Sequence, residues 1–394
     1  MRTDHGAAIA GVYEFPRRSV PGMTALQIKA ASAAQALDDA GLTWSDVDAI
    51  YDAGETGAGV GLSMAEYFGV HPVVVDSTGV GGSSFEVHAG HAARAVAAGK
   101  AKVALLTYGS TAHSDRRAIG TGGRGGQPPT PSGNMEAPYG LTLVGSYALV
   151  AQRHMHEYGT TPEQLAEIAV VTRAHAMRNP DAVQALQDVG QKTVREFSVE
   201  DVVSSRLIAD PLHLLDCCII SDGGGAVVIV APEVARNLRS EPVWILGTGE
   251  AVQYSENGAD LTVSAGSRSG PTAFGEAGVR PDEMDVAMIY DSFTITVLTI
   301  LEDLGFCSKG EGGAYVEGGR LRFDRPGAPA LNTDGGGLSS NHPGMRGIFL
   351  LIEATRQLRG TSTSQVPGAK LAVAHGNGGQ LGSRHAAGTV VLGR

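Results

Sequence analysis

Cysteine is scarce in this chain. Three occur in 394 residues, Cys217 and Cys218 side by side and Cys307 far from them, so neither a disulfide framework nor a zinc-ligand spacing is present. Positive charge is also in deficit: 30 Lys and Arg against 41 Asp and Glu leave a net charge of −11, with no local basic block to offset it. That balance repels nucleic-acid phosphates and anionic membrane surfaces. No apolar run approaches the length of a membrane span, and the opening MRTDHGAAIAGVYEF reads as a short strand pattern rather than a leader segment. A cytoplasmic protein without membrane insertion is expected. Missing too are a GxGxxG turn in strand-to-helix context, for which GAGVGL from Gly57 is only a near miss, and a phosphate-binding P-loop, so nucleotide-driven chemistry has little support.

What the chain has in abundance is glycine, 55 residues, clustered in turns: GVGGSS before a helix, GTGGRGG after Ile119, DGGG after Ser221, GGGLSSNHPG, and GNGG after His375. Such turns bring backbone amides close to a ligand. Two stretches echo each other. AGLTWSDVDAIYD from Ala40 and AGVRPDEMDVAMIYD from Ala277 share an Ala-Gly helix end, an acidic turn and a strand closing in Tyr-Asp. Each is followed by a Gly-rich turn with small polar residues, an apolar helix, a lysine and a buried-type strand. The chain is a doubled unit, and a site can form where helix starts and strand ends of the two halves converge.

Strand and helix signals alternate along the whole length, which predicts an α/β architecture with mixed sheets packed between helices. The first half extends over 1–240 and the second over 241–394. Between about 114 and 209 the pattern changes to a loop-like run and helices without a repeat partner, read as an insertion into the first half. Length and 42% apolar content are sufficient for a large core.

Several motifs together resemble the thiolase superfamily, and more narrowly its sterol-carrier-protein type and the lipid-transfer-protein-like relatives: YDSFTITVLTILEDLGFCSKGEGGAYVEGG from Tyr290, LLDCCIISDGGGAVVIV from Leu214, NHPG at Asn341 and AHGNGGQLGS at Ala374. The resemblance spans nearly the whole chain. It implies a five-layered α-β-α-β-α sandwich of two similar halves with a loop domain inserted in the first. It also implies a dimer acting on coenzyme A thioesters, with no cofactor beyond the coenzyme A of the substrate and no metal.

One departure from the family pattern is informative. Thiolases carry a nucleophilic cysteine at the start of the first-half helix, where the helix dipole and amides favour the thiolate. Here the turn reads GVGGSSFEVHAG, with Gly82 in the cysteine's place and Ser83 beside it. By resemblance, His342 in NHPG matches the family's GHP histidine, His375 in HGNGG stands where a second cysteine serves as acid or base, and Tyr290 replaces an asparagine or histidine that orients a water. The backbones of Gly82, Gly378 and Gly379 are the candidate oxyanion turns.

Thiolysis needs a nucleophile that attacks a ketone and holds an acyl group. Retro-aldol cleavage needs only a base for a 3-hydroxyl and donors for the resulting thioester enolate. The expectation is therefore a carbon–carbon lyase acting on an acyl-CoA, of the kind that shortens steroid side chains together with a small OB-fold partner protein. A thiolase or acyltransferase using a residue other than cysteine, and a noncatalytic lipid or acyl-CoA carrier, are the alternatives. His342 would donate to a thioester oxygen, or else cap or pack at a helix start. His375 would shuttle a proton, or else bond backbone in a turn. Tyr290 would exchange a proton with the substrate, or else sit in the core. Ser83 would accept an acyl group, or else N-cap the helix, the commoner job for serine there. His88 and His91 share one helix face and read as hydrogen-bonded histidines rather than metal ligands.

Overall fold

A computed structural model describes residues 6–53, 60–117, 137–238, 240–254 and 260–394. The GTGGRGG run and the first three residues of GAGVGL lie outside the described residues.

The strands are β1 (Ala8–Glu14), β2 (Ala49–Asp52), β3 (Val74–Asp76), β4 (Val103–Ser110), β5 (Leu207–Ala209), β6 (Leu212–His213), β7 (Gly223–Val230), β8 (Val243–Tyr254), β9 (Val286–Ile289), β10 (Ala330–Leu331), β11 (Leu371–Gln380) and β12 (Arg384–Gly393). The first-half order is β3-β2-β4-β7-β1 and the second-half order is β10-β9-β11-β12-β8. Each strand of one half has its counterpart at the same place in the other. The pairing sense repeats as well: the first two contacts of each series are parallel and the last two antiparallel. The halves join through Ala8 opposite Trp244 and Ile9 opposite Val243. This is the duplication in three dimensions, carried down to side chains: the Asp48 carboxylate accepts from the Lys102 and Val103 amides, and that of Asp285 accepts from Lys370 and Leu371.

The helices are α1 (Ala25–Ala40), α2 (Val60–Phe68), α3 (Ser84–Ala97), α4 (Leu143–Tyr158), α5 (Pro162–Ala176), α6 (Pro180–Asp188), α7 (Val199–Val203), α8 (Pro232–Ala235), α9 (Gly266–Ala277), α10 (Thr294–Asp303), α11 (Gly312–Val316), α12 (Gly336–Ser339) and α13 (Gly347–Arg359). Their ends follow local chemistry. Thr24 and Gln27 form a capping box on α1, Thr161 and Gln164 another on α5, and Asn179 caps α6. Both echoed helices, α1 and α9, stop at a left-handed glycine, Gly41 at φ 70° and Gly278 at φ 69°.

Among the described residues, three large apolar clusters separate five layers. Helices α1, α2 and α8 cover the outer face of the first-half strands through Leu37, Met64 and Ala235. Helices α3 and α13 lie between the two sets of strands, where Phe85 and Ala89 meet Phe349 and Leu351. Helices α4, α5, α9 and α10 cover the outer face of the second-half strands. The thiolase-like α-β-α-β-α sandwich is therefore the observed fold. Helix α10, TITVLTILED, is buried over nine consecutive residues from Thr294 to Glu302, which suits a helix surrounded by protein. Helices α4 to α7 and the β5–β6 pair lie between β4 and β7 in the chain, and α4 leans over the end of β11.

Candidate active site

The two Gly-rich turns meet. Gly81 and Gly82 open the 3-10 turn ahead of α3, and a Cβ on Gly81 would lie 2.8 Å from the Gly379 amide nitrogen at the end of β11. A cavity of about 390 Å³ opens at this junction, with Gly81, Gly82, Gly379, Tyr290, His342, Tyr147 and Asn377 among its walls. Apolar side chains, including Leu143, Val144, Ile220, Phe293 and Met345, line much of the remainder. That mixture of apolar wall and a few convergent polar groups is the character of a small-molecule site.

Tyr290 stands just past β9, its amide bonded to the His375 carbonyl at 3.0 Å. Its hydroxyl lies 2.9 Å from His342 Nε2 and 3.3 Å from the Gly344 carbonyl, and the two rings meet edge to face at 5.6 Å. The Tyr290 ring also fills the space in front of Gly82, where a Cβ would sit 2.3 Å from Cε2 and 2.6 Å from Cζ. Burial pushes the Tyr290 phenol well above its ordinary range. Burial, then the Arg346 charge, lowers His342 to about 4. The pair at neutral pH is accordingly a phenol beside a neutral imidazole. Nδ1 of His342 is buried without a partner.

A buried cation holds this pair in place. Arg346 Nε lies 3.0 Å from Asp291, its Nη2 donates to Asp334 at 2.8 Å, and its Nη1 donates to Asn341 Oδ1 at 2.5 Å. Asp291 follows Tyr290 and Asn341 precedes His342, so one guanidinium joins the segments that carry both side chains. The His342 amide donates to Ser221 Oγ at 3.0 Å. Gly336, at φ 69°, lets the loop pass Asp291, since a Cβ there would come within 2.1 Å of the carboxylate.

Not every expected residue reaches the cavity. His375, within β11, is absent from its lining. Nδ1 bonds Thr389 Oγ1 at 2.8 Å, and the ring edge faces Gly266 at the start of α9. Strand geometry gives the reason: Asn377 lies on the same side two residues later, about 7 Å further along the strand, and it is Asn377 that reaches the cavity. Ser83 neither caps nor faces the cavity. It has helical φ/ψ with no capping bond, and its Oγ donates to the Val80 carbonyl at 3.1 Å. Gly378 packs against Val80 and Ser83, so of the three candidate turn glycines Gly82 and Gly379 line the cavity. His342 precedes α13 by five residues rather than starting it. His88 bonds the Thr78 carbonyl just after β3, and His91 bonds Asp76 at the end of β3 and Glu250.

Residues 247–394 match the thiolase C-terminal domain-like family model. The chain is 35% identical over 387 residues to a steroid side-chain-cleaving aldolase of Thermomonospora curvata, covering 91% of this chain and 92% of that one. It is 33% identical to an acetyl-CoA acetyltransferase of Methanothermobacter thermautotrophicus, covering 88% and 90%. A solved structure described as Ltp2-ChsH2(DUF35) aldolase superposes with a TM-score of 0.85 at 31% identity, covering 99% of this chain and 98% of that chain. The chain belongs to the thiolase superfamily, in its sterol-carrier-protein-type branch.

Within a thiolase-superfamily fold, the residues that sequence reasoning passed over are those with ordinary local motifs. Tyr147 is on α4, Ser292 follows Asp291, and Cys217 and Cys218 belong to the segment before β7; all four line the cavity. The thiols are poor nucleophiles. Burial, then Asp216, pushes Cys217 up to about 12, and burial pushes Cys218 well above its usual value. Ser292, Cys217 and Cys218 stood inside quoted motifs with nothing local to mark them as cavity wall, and Tyr147 stood outside every motif, on a helix, α4, with no partner in the repeat.

Proposed function

We propose that this protein cleaves the C2–C3 bond of a 3-hydroxyacyl-CoA by retro-aldol chemistry. The observation that carries the reading is the 2.9 Å contact of the Tyr290 hydroxyl with a neutral His342, in a cavity whose nucleophile position is Gly82 with the tyrosine ring against it. The phenol oxygen takes the proton of the substrate 3-hydroxyl as it passes its own to Nε2. The O–H electrons become the new C=O, and the C2–C3 pair moves to the thioester as an enolate. The imidazolium then returns the proton through the phenol to C2. A ketone or aldehyde and a shortened acyl-CoA leave, with neither water nor free coenzyme A consumed. General acid–base catalysis of this kind contributes about 10²–10⁴-fold.

The relatives named as aldolases support this reading, and the acetyltransferase relative supports the alternative of acyl transfer. Against acyl transfer, the two thiols of the cavity are held protonated. A carrier without chemistry would not need an imidazole–phenol pair with an unpartnered buried nitrogen. Arg206 at the cavity rim supplies a positive charge suited to coenzyme A phosphates.

The substrate side is expected to be a lipid or steroid side chain. The protein is proposed to work in the cytoplasm as a homodimer, paired through the edge strand β3, where Val75 is 53% exposed, Val73 just before the strand 74% and Leu62 of α2 79%. A small OB-fold protein is the further partner proposed. No helix among the described residues is long and apolar enough to cross a membrane.

Panels of 3-hydroxyacyl-CoA and 3-ketoacyl-CoA, with and without added coenzyme A, test the reaction. Release of a ketone or aldehyde without added coenzyme A is the expected result. Coenzyme-A-dependent cleavage of 3-ketoacyl-CoA alone would favour acyl transfer, and binding without turnover a carrier.

A further inference from the structure

A second line of buried polar side chains, separate from the arginine network, runs to the cavity. Its first member is a backbone amide: Ala265 N–H donates to His385 Nδ1 at 3.0 Å. An Nδ1 that accepts must carry its hydrogen on Nε2, and burial keeps this imidazole neutral by lowering it to about 4. The Nε2–H therefore donates to Asn377 Oδ1. That fixes the orientation of the amide, whose Nδ2 donates to the Tyr147 oxygen at 2.9 Å. Every bond in the line points the same way, and every member is at least 96% buried.

The line ends at Tyr147. Burial raises its phenol pKa, with the Asn377, Ser292 and Leu381 contacts pulling the other way, so the hydroxyl keeps its proton at neutral pH. Its oxygen receives from Asn377, and the proton is left to be given away. The ring is held against Phe293 at 4.6 Å between centroids. Beyond the hydroxyl are the cavity and Ser292, whose Oγ already has Thr296 Oγ1 at 3.0 Å. A substrate oxygen entering the cavity competes with Ser292 for that proton.

We infer that Tyr147 is a further catalytic residue, the donor that stabilises the thioester oxygen as it becomes an enolate, with Asn377 and His385 as positioning residues that aim its proton. This rests on the retro-aldol reading above and adds to it a division of labour: Tyr290 and His342 handle the proton of the 3-hydroxyl, and Tyr147 the charge on the thioester. Pre-aimed donors of this sort act because no reorganisation is required when the charge develops. Aligned buried hydrogen bonds also polarise one another.

The test uses two readouts on the full chain, with its partner protein where turnover requires one: cleavage of 3-hydroxyacyl-CoA, and uptake of deuterium from D₂O at C2 of propionyl-CoA, which reports enolate formation without carbon–carbon cleavage. In Tyr147→Phe both rates should fall on the order of 100-fold, with KM and Tm little changed. Asn377→Asp, nearly isosteric, places an acceptor where Tyr147 now meets a donor and turns its proton away from the cavity; it should lower both rates with Tyr147 still present. It also serves if Tyr147→Phe fails to fold. Wild-type rates of exchange in either folded variant overturn the inference. A wild type that exchanges C2 protons but cleaves no 3-hydroxyacyl-CoA defeats the proposed reaction, while loss of that exchange in Tyr147→Phe still supports the donor.

Discussion

The ring of Tyr290 occupies the volume into which any side chain at position 82 would project, coming within 2.3 Å of a Cβ built on Gly82. The two positions are a matched pair. The phenol here, together with the Asn377 carbonyl 2.6 Å from the same Cβ, excludes a cysteine there.

Gly82→Cys is therefore expected to destabilise the protein by about 1–3 kcal/mol, the usual cost of overpacking a core. Adding Tyr290→Ala should relieve the ring's share of the clash and leave that of the Asn377 carbonyl, 2.6 Å from the same Cβ, so that the double variant is less destabilised than the sum of the singles. Thermal melts of the four proteins in this cycle measure the coupling. Additive losses would show that the two positions do not compete for space.

Tyr290→Phe and His342→Ala should each lower the cleavage rate about 10²–10⁴-fold, and the double variant should fall little further, because the two side chains act as one relay. His342→Ala should reduce turnover far more than stability. His375→Ala is the contrast. Its ring faces Gly266 rather than the cavity, so it should affect turnover less than His342→Ala. Equal losses in kcat/KM for the two histidine variants would place His375 in the chemistry.

Arg346→Met removes the cation shared by Asp291 and Asp334. Leaving two buried carboxylates without it should cost about 3–5 kcal/mol, read as a fall in the urea midpoint. Arg346→Lys should not rescue it, because a single ammonium cannot span Asp291, Asp334 and Asn341 in the fork geometry of a guanidinium.

Glu86, on the first turn of α3, is buried with neither oxygen partnered, and burial raises it to about 8. A carboxyl raised above its unfolded value of about 4.3 binds more protons folded than unfolded between those two pH values. Its contribution is thus fully present below the lower value and is lost as pH rises through the upper one. His342 has the opposite sign: lowered to about 4, it makes stability rise with pH up to about 6.5 and then level off. Above pH 6.5 the Glu86 effect remains, so wild-type stability should decline between pH 6.5 and 8, at no more than roughly 1.4 kcal/mol per pH unit from this group. Glu86→Gln should flatten that decline in chemical denaturation measured across the range. An unchanged slope would mean that Glu86 is ionised when folded.

The repeat was legible because duplication preserves local devices that need no partner to be read: the Gly41 and Gly278 helix ends, the acidic turns, and the Asp48 and Asp285 acceptors. Alternating strand and helix patterns were enough for the layered architecture, since an apolar helix such as α10 has few places to go except between other elements. At the site, His342 and Tyr290 could be found by motif. Ser83 and His375 could not be sorted in the same way, because a serine at a helix start and a histidine in a strand look alike whichever way they point. Tyr147 had no motif at all.

Chain order and residue chemistry were enough to specify two copies of one α/β unit and an excess of negative charge, and the family resemblance marked a helix start without the cysteine that thiolases carry. Folding settled which side chains share a cavity. His375 and Asn377 differ by two residues, yet one is locked to Thr389 and the other reaches Tyr147. The reason is that a strand offers each residue only a face and a height. Which of those heights opens into a cavity depends on elements packed from remote parts of the chain, here α4 against the end of β11 and Tyr290 against Gly82.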